Sequence, residues 1–121
     1  MTLEDFQRRL RDFADERDWQ QFHTPKNLAM ALGGEAGELL ELFQWLTPEQ
    51  SSQVMADPTT GEKVRHEVAD VLAYLLRLAD VLEIDLMAAL DEKMTLNAAK
   101  YPVELAKGTA RKYDQLGQED Q

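Results

Sequence analysis

Residues 28–46 read LAMALGGEAGELLELFQWL, and this stretch decides the fold. Its leucines recur with the three-, four- and seven-residue spacings that mark one face of an α-helix, at Leu28, Leu32, Leu39, Leu42 and Leu46. The position that completes the stripe between Leu32 and Leu39 is Glu35. A carboxylate on an apolar helix face must be paired, protonated or bound to a metal. The stretch therefore predicts a helix that carries a functional acid on its apolar face.

Three further acids accompany Glu35. Glu38 lies one helical turn later, so both side chains point the same way, and Glu67 and Asp70 repeat that spacing beside the apolar stripe of a later helix. Four converging acids repel one another unless cations separate them, and carboxylate oxygens suit Mg²⁺ or Mn²⁺. We therefore predict a metal site at these four acids. Because bound metals reverse the local charge, such a site can accept a triphosphate.

The alternative interpretation is that such acid pairs are ordinary helix surface. One pair alone would favour that view, but two pairs, with Glu35 inside a leucine stripe, favour a site. Gly33, Gly34 and Gly37 lie beside the acids, and each costs about 1 kcal/mol against alanine in a helix. They predict either close helix approach or room for a ligand. The chain has no Glu-x-x-His motif of the di-iron bundles.

The helix signals predict an all-α fold, a bundle of four main helices. Threonine caps followed by proline, and an aspartate cap, predict long helices over about 2–19, 24–46, 62–82 and 85–100, with a short one at 47–55 and a loop at 57–61. We predict a helical domain over residues 1–102 and a partly ordered tail over 103–121, because Pro102 halts the last helix and periodicity fades after it. A core this small favours symmetric burial of spare helix faces between copies.

Composition excludes several classes of function. A net charge of −10 disfavours binding to DNA or RNA. The absence of cysteine excludes disulfides and Cys-based zinc sites. No apolar run approaches the roughly 18 residues of a membrane span, and the start of the chain lacks the pattern of a signal peptide. We therefore expect a cytoplasmic protein with no membrane partner.

The two acid pairs, Glu35-Ala-Gly-Glu38 and Glu67-Val-Ala-Asp70, together resemble the E-x-x-E, E-x-x-D signature of the MazG-like all-α nucleoside triphosphate pyrophosphatases. Within that superfamily the chain is most similar to the dCTP pyrophosphatase branch. The similarity spans roughly residues 2 to 116. It is carried by residues 16–19, 22–23, 25–28, 38–45, 70–75, 93–102 and 112–113.

The resemblance implies hydrolysis of a nucleoside triphosphate to the monophosphate and pyrophosphate, with Mg²⁺, or Mn²⁺ in its place, held by the four acids. It also implies substrate-binding residues: Trp19 and Trp45 as walls of a base pocket, Phe22 and Tyr74 nearby, and Lys93 and Asn97 at the phosphate or sugar. One acid, Glu38, is predicted to accept the proton of the attacking water. The family works as dimers or pairs of dimers, so a homodimer or homotetramer is implied.

One position departs from the family. Vertebrate members have a histidine near the base where this chain has Leu10, which leaves base preference open. The leading hypothesis is an enzyme that hydrolyses dCTP, or modified dCTP, to cleanse the nucleotide pool. The alternatives are a dUTP-type or broad-specificity hydrolase and, from another class, a non-catalytic helical assembly protein.

Overall fold

Residues 1–117 are described by a computed structural model, and within that range every regular element is helical. The α-helices are α1 (Leu3–Glu16), α2 (Pro25–Glu41), α3 (Pro48–Ser51), α4 (Pro58–Val81), α5 (Leu86–Lys100) and α6 (Val103–Ala106). Short 3₁₀ turns occupy Gln20–Phe22, Val54–Ala56 and Tyr113–Gln115. The prediction of an all-α protein is confirmed, and α1, α2, α4 and α5 are its long helices. The part of the predicted tail over 118–121 lies outside the described residues.

Side-chain caps start the helices where the sequence predicts them. At α1 the hydroxyl of Thr2 accepts from the backbone N–H of Asp5, whose carboxylate accepts from the backbone N–H of Thr2. Thr47 and Gln50 repeat this reciprocal box at α3, and Asp85 caps α5. These bonds satisfy N–H groups that a helix leaves unpaired in its first turn.

Helix ends differ from the prediction at four places, one of which is the short helix predicted over 47–55, which ends at Ser51. The predicted loop at 57–61 is wrong: α4 begins at Pro58, because the Asp57 carboxylate accepts from the N–H of Thr59 and the hydroxyl of Thr60. Helix α1 ends earlier, where Asp18 enters the left-handed region with φ 55°. Helix α2 ends at Glu41 because the next residues tighten into i→i−3 hydrogen bonds up to Leu46.

The chain forms two compact units, Met1–Ile84 and Asp85–Gln121. In the first unit α4 is central, packing against α1, α2 and the turn Val54–Ala56. Its fully enclosed apolar side chains come from all three long helices: Ala14, Leu28, Leu76 and Ala79. Gly61 is buried at the start of α4, where a Cβ would lie 3.4 Å from the backbone of Met55. The second unit contains α5, α6 and an edge-on contact between Tyr101 and Tyr113. The predicted division at residue 102 stays a prediction.

Helix α4 has an apolar face that residues 1–117 leave exposed. Of the apolar stripe predicted for it, Val68, Leu75 and Leu82 are exposed to 51%, 39% and 46%, and Leu72 is exposed beside them. The face turned to the core instead carries a buried arginine, Arg77. Along residues 1–117, no helix has both the length and the apolar character needed to cross a bilayer.

Candidate active site

The packing of α2 against α4 brings three of the predicted ligands together. Glu35 and Glu38 on α2 and Glu67 on α4 each offer a carboxylate oxygen, and the three oxygens lie within 4.8 Å of one another. Glu35 and Glu67 are half-buried, whereas Glu38 is exposed. We call these three residues the carboxylate cluster. It is closed on the protein side and open at Glu38.

Two oxygens of the cluster are enclosed without a partner. Oε2 of Glu35 and Oε2 of Glu67 are buried, and neither has a hydrogen-bond partner among residues 1–117. Buried polar atoms in proteins are nearly always paired. Hard, closely spaced and unpaired carboxylate oxygens are the donor set that Mg²⁺ and Mn²⁺ prefer, so these residues fit such a cation.

The electrostatics of the cluster point the same way. Burial, followed by the neighbouring Glu38 carboxylate, raises the pKa of Glu35 to about 7. The pKa of Glu67 is also raised, mainly by burial. Both pKa values are raised because placing negative charges close together and away from water is unfavourable in free energy. A divalent cation reverses that cost, because it favours the ionised form of every acid around it.

Asp70 links the cluster to the surface beside it. It lies one turn after Glu67 on α4 and is exposed, and its charge contributes to the raised pKa of both Glu35 and Glu67. It is not one of the three residues whose oxygens converge within 4.8 Å. Asp70 also lines a neighbouring cavity, so a ligand in that cavity lies next to the acids.

This aromatic cavity has a volume of about 180 Å³ and lies between α1, α4 and the segment that joins α1 to α2. It is lined by Leu10, Phe13, Ala14, Trp19, His23, Asp70, Ala73, Tyr74 and Arg77. The Trp19 ring meets Phe13 edge-on at 5.6 Å and His23 edge-on at 6.4 Å between ring centroids. A cavity with aromatic walls suits a flat ring, since aromatic side chains stack on the face of any nucleobase.

Four predicted binding residues lie outside this cavity. Phe22 and Trp45 are not among its lining residues, and their side chains are exposed to 59% and 86%. Lys93 and Asn97 lie about one turn apart on α5, in the second unit, and both are exposed. Within a single chain, therefore, only Trp19 and Tyr74 of the six predicted binding residues line the cavity.

The sequence analysis missed a polar network beneath the cavity. Arg77, 5% exposed, donates from Nη1 to Asp80 at 2.9 Å, from Nε to Nδ1 of His23 at 3.1 Å, and from Nη2 to Oε1 of Gln20. Arg11 donates two hydrogen bonds to the same Asp80 carboxylate. The hydrogen bond from Arg11 has the largest influence on the pKa of Asp80 and lowers it. Burial raises this pKa, Arg77 lowers it, and the net result is a lowered pKa. One signal was available: Arg77 interrupts the apolar run LLRLA at residues 75–79.

The glycines of α2 do not serve close packing within this chain. Apart from the backbone of α2 itself and the adjacent residues, a Cβ added at Gly33, Gly34 or Gly37 would meet no atom of residues 1–117 within 4 Å. The prediction of close helix approach therefore fails inside the single chain. The open surface at these positions leaves room for a ligand or for a second copy.

Comparisons with known proteins identify the family of this chain. The profile of the MazG-like family matches residues 31–116, the segment that contains all four acids. The chain is 46% identical over 115 residues to dCTP pyrophosphatase 1 of Homo sapiens and of Mus musculus, covering 95% of this chain and 68% of each relative. A solved pyrophosphatase from Archaeoglobus fulgidus is 44% identical, with a TM-score of 0.76 over 82% of this chain and 91% of that one. By its sequence profile, its identity to these relatives and its helical architecture, the chain belongs to the MazG-like family.

Proposed function

We propose that this chain is a magnesium-dependent nucleoside triphosphate pyrophosphatase that hydrolyses dCTP and modified dCTP to the monophosphate and pyrophosphate. One observation carries the proposal. Two acids of the three-residue carboxylate cluster each have an enclosed oxygen without a partner, in a chain that is 46% identical to dCTP pyrophosphatase 1 over 95% of its length. Removal of such nucleotides from the pool in the cytoplasm is the proposed role, and cell fractionation tests the location.

The carboxylate cluster and Asp70 are the proposed metal ligands. Glu35 and Glu67 would present their enclosed oxygens from two packed helices, and Glu38 and Asp70 would complete the site from its open side. When bound, Mg²⁺, or Mn²⁺ in its place, neutralises phosphate oxygens and acidifies a bound water. The chain's contribution is geometry, because α2 and α4 hold the acids together before any ligand arrives.

Glu38 is the proposed general base. A base must reach a water molecule that solvent can supply, and Glu38 is the exposed member of the carboxylate cluster. The enclosed oxygens of Glu35 and Glu67 are less accessible to that water. Glu38 would accept the proton while its neighbours keep the triphosphate in place.

The aromatic cavity is the proposed base site. Trp19 and Tyr74 line it, and so does Asp70, one of the four proposed metal ligands. A base stacked there would direct its phosphates toward the carboxylate cluster. Stacking contributes about 1–3 kcal/mol per base and tolerates any base, so cavity size and edge hydrogen bonds must choose the base.

A second copy of the chain is the proposed source of the remaining binding residues. The open face of α4 at Val68, Leu72 and Leu75 is apolar and uncovered, and Trp45 is 86% exposed. Contiguous exposed apolar surface of this kind marks an interaction site. We propose a homodimer or a pair of dimers in which Trp45 and Phe22 reach the base site of a partner copy.

Helix α5 fits the same assembly. It has no buried residue, and Met87, Leu90 and Met94 follow one another at three- and four-residue spacing with exposures of 61%, 55% and 63%. Lys93 and Asn97 lie along this side of the helix. Covering the stripe with a second copy would bring these polar residues to the phosphate or sugar, as the resemblance implies. Light scattering at micromolar concentration is expected to give two or four times 13.8 kDa, and a monomer mass would contradict the shared site.

Base preference depends on the side chains that line the aromatic cavity. Leu10 lines the aromatic cavity and offers no hydrogen bond to a base edge. We therefore expect dCTP and 5-substituted dCTP to be preferred to purine nucleotides, with weaker discrimination among pyrimidines such as dUTP. Trp45→Ala should raise KM for dCTP about tenfold by removing a stacking surface, without changing magnesium affinity.

The deciding experiment is a screen of all common nucleoside triphosphates for pyrophosphate release with and without Mg²⁺. Release from dCTP that disappears with EDTA supports the proposal. A flat profile over many bases would favour the broad-specificity alternative. Release of pyrophosphate from none of them would contradict the enzyme and favour a helical assembly protein.

A further inference from the structure

Arg77 is the only charged side chain enclosed in the core among residues 1–117. The free-energy cost of burying its charge is offset by hydrogen bonds to three acceptors from three parts of the chain: the Asp80 carboxylate, the Gln20 amide oxygen and the His23 imidazole. A buried guanidinium needs such acceptors, but the carboxylate alone would supply its counter-charge. The bond to an imidazole is the unusual one.

That bond decides which nitrogen of His23 carries the proton. The Nε–H of Arg77 donates to Nδ1 of His23 at 3.1 Å. Since guanidinium is always a donor, Nδ1 must be the unprotonated nitrogen, and the proton of neutral His23 lies on Nε2. Burial and the charge of Arg77 also lower the pKa of His23, which favours the neutral ring. The imidazole is thus held in one tautomer.

The protonated nitrogen of His23 is available. Among residues 1–117, Nε2 of His23 has no hydrogen-bond partner. The enclosed side-chain atoms without a partner belong to Glu35 and Glu67, so Nε2 is not one of them and is accessible. His23 lines the aromatic cavity and meets Trp19 edge-on. His23, with its tautomer fixed, is therefore one of the lining residues of a cavity whose other walls are mostly apolar.

We infer that Arg77 is a positioning residue that fixes His23 as the Nε2–H tautomer, so that His23 donates a hydrogen bond to a pyrimidine base in the aromatic cavity. The inference rests on the proposed function for the identity of the ligand, though not for the tautomer. Cytosine offers O2 and N3 as neighbouring acceptors on one edge. A fixed donor selects such an edge, whereas stacking on Trp19 does not.

A purely structural role for Arg77 makes a different prediction. In that case Arg77 matters through Asp80, and loss of either arginine on that carboxylate should have the same consequences. Arg11 is the matched control, because it binds Asp80 with two hydrogen bonds but does not line the cavity or contact His23. The pair Arg77→Met and Arg11→Met separates the two roles.

The first readout needs no substrate. The chain has two histidines, and His23→Phe assigns the ¹⁵N imidazole signals of wild-type protein to His23. At neutral pH we expect the Nε2–H pattern for His23 in wild type and in Arg11→Met, and a mixture of tautomers in Arg77→Met. If Arg77→Met does not fold, Arg77→Lys keeps the charge and removes the Nε–H donor. A wild-type Nδ1–H tautomer, or an unchanged signal in both Arg77 variants, overturns the inference.

The second readout tests the base contact with product inhibition. His23→Phe and Arg77→Met should each weaken inhibition by dCMP about tenfold, the value of one lost hydrogen bond, and should raise KM for dCTP similarly with kcat changed less than about twofold. Inhibition by pyrophosphate, which has no base, should stay unchanged, and Arg11→Met should resemble wild type. Equal weakening of both inhibitors, or of neither, overturns the base contact.

Failure of the proposed function gives a separate result. If wild type releases no pyrophosphate from dCTP, that function fails, and a titration with dCMP followed at His23 then decides the inference. A shift of the Nε2–H signal that Arg77→Met weakens and Arg11→Met preserves supports it. An unmoved signal at saturating dCMP overturns it.

Discussion

Two acidic regions of the first unit, Asp80 on α4 and the carboxylate cluster between α2 and α4, differ in how the protein compensates their negative charge. At Asp80 the protein supplies two guanidinium groups, and the carboxylate makes hydrogen bonds with Arg11 and Arg77. At the carboxylate cluster no lysine, arginine or histidine among residues 1–117 forms an ion pair with the acids, and two oxygens are enclosed without partners. The pKa of Asp80 is lowered, whereas those of Glu35 and Glu67 are raised.

On our proposal, the difference separates an acid that stabilises the fold from acids that bind a ligand. A paired carboxylate holds two elements together, because its charge is compensated in the folded state. An unpaired cluster costs stability and is retained where a cation supplies what the chain does not. Variants at the carboxylate cluster should therefore lose activity and gain stability in the absence of metal. Variants at Asp80 should instead lose stability.

The largest effect is expected at the ligand side. Glu38→Gln and Asp70→Asn should each lower turnover of dCTP about 1,000-fold, since each removes a charged ligand while leaving the side-chain volume nearly unchanged. Steady-state pyrophosphate release measures the effect. Circular dichroism and light scattering should give the same helicity and mass as wild type. Activity near the wild-type level in either variant would remove the metal-site assignment.

The next effect is expected at the paired side. Asp80→Asn should lower the free energy of unfolding by about 3 kcal/mol, because it leaves the buried Arg77 charge uncompensated. Urea unfolding followed by circular dichroism measures the change. Asp12→Asn, an exposed acid on α1, is the matched control and should stay within about 0.5 kcal/mol of wild type. Equal losses in both variants would mean that the network at Asp80 does not stabilise the fold.

The sequence predicted the ligand side better than the paired side. The carboxylate cluster arises from two local signals, an acid inside a leucine stripe and an i,i+3 repeat, and helix periodicity carries both. Glu35, Glu38 and Glu67 do meet in the structure. The paired side depends on hydrogen bonds from Arg77 to Gln20 and from Arg11 to Asp80, over separations of 57 and 69 residues. No local pattern encodes such a distant partner.

The apolar stripe of α4 shows a second limit. Periodicity finds an apolar face, but it does not say whether the chain itself or a second copy covers it. Val68, Leu75 and Leu82 follow the helical rhythm and are exposed, while Arg77 breaks the rhythm and is buried. The caps were easier to predict, because Thr2 with Asp5, and Thr47 with Gln50, bond within a single turn.

The smallest effect is expected for stability without metal, and it has the opposite sign to that of Asp80→Asn. Glu35→Gln removes a crowded carboxylate whose pKa is raised to about 7. Because the folded state holds this proton more tightly than the unfolded chain, the stability it gives is complete below the ordinary pKa of 4.5 and is lost as pH rises through about 7. In EDTA at about pH 8, where wild-type Glu35 is ionised, the variant should be more stable by about 1 kcal/mol.

The difference should depend on pH and on metal in a way that Asp80 variants do not share. It should shrink when the EDTA-treated proteins are compared at about pH 5, where wild-type Glu35 is protonated and uncharged like glutamine. It should also shrink at about pH 8 with saturating Mg²⁺, because a cation stabilises the ionised wild type and not the amide. Thermal unfolding of both proteins in the four conditions measures this. A constant difference in Tm across all four would show that Glu35 neither holds a proton near neutrality nor binds the cation, and the contrast between the two acidic regions would then fail at its central residue.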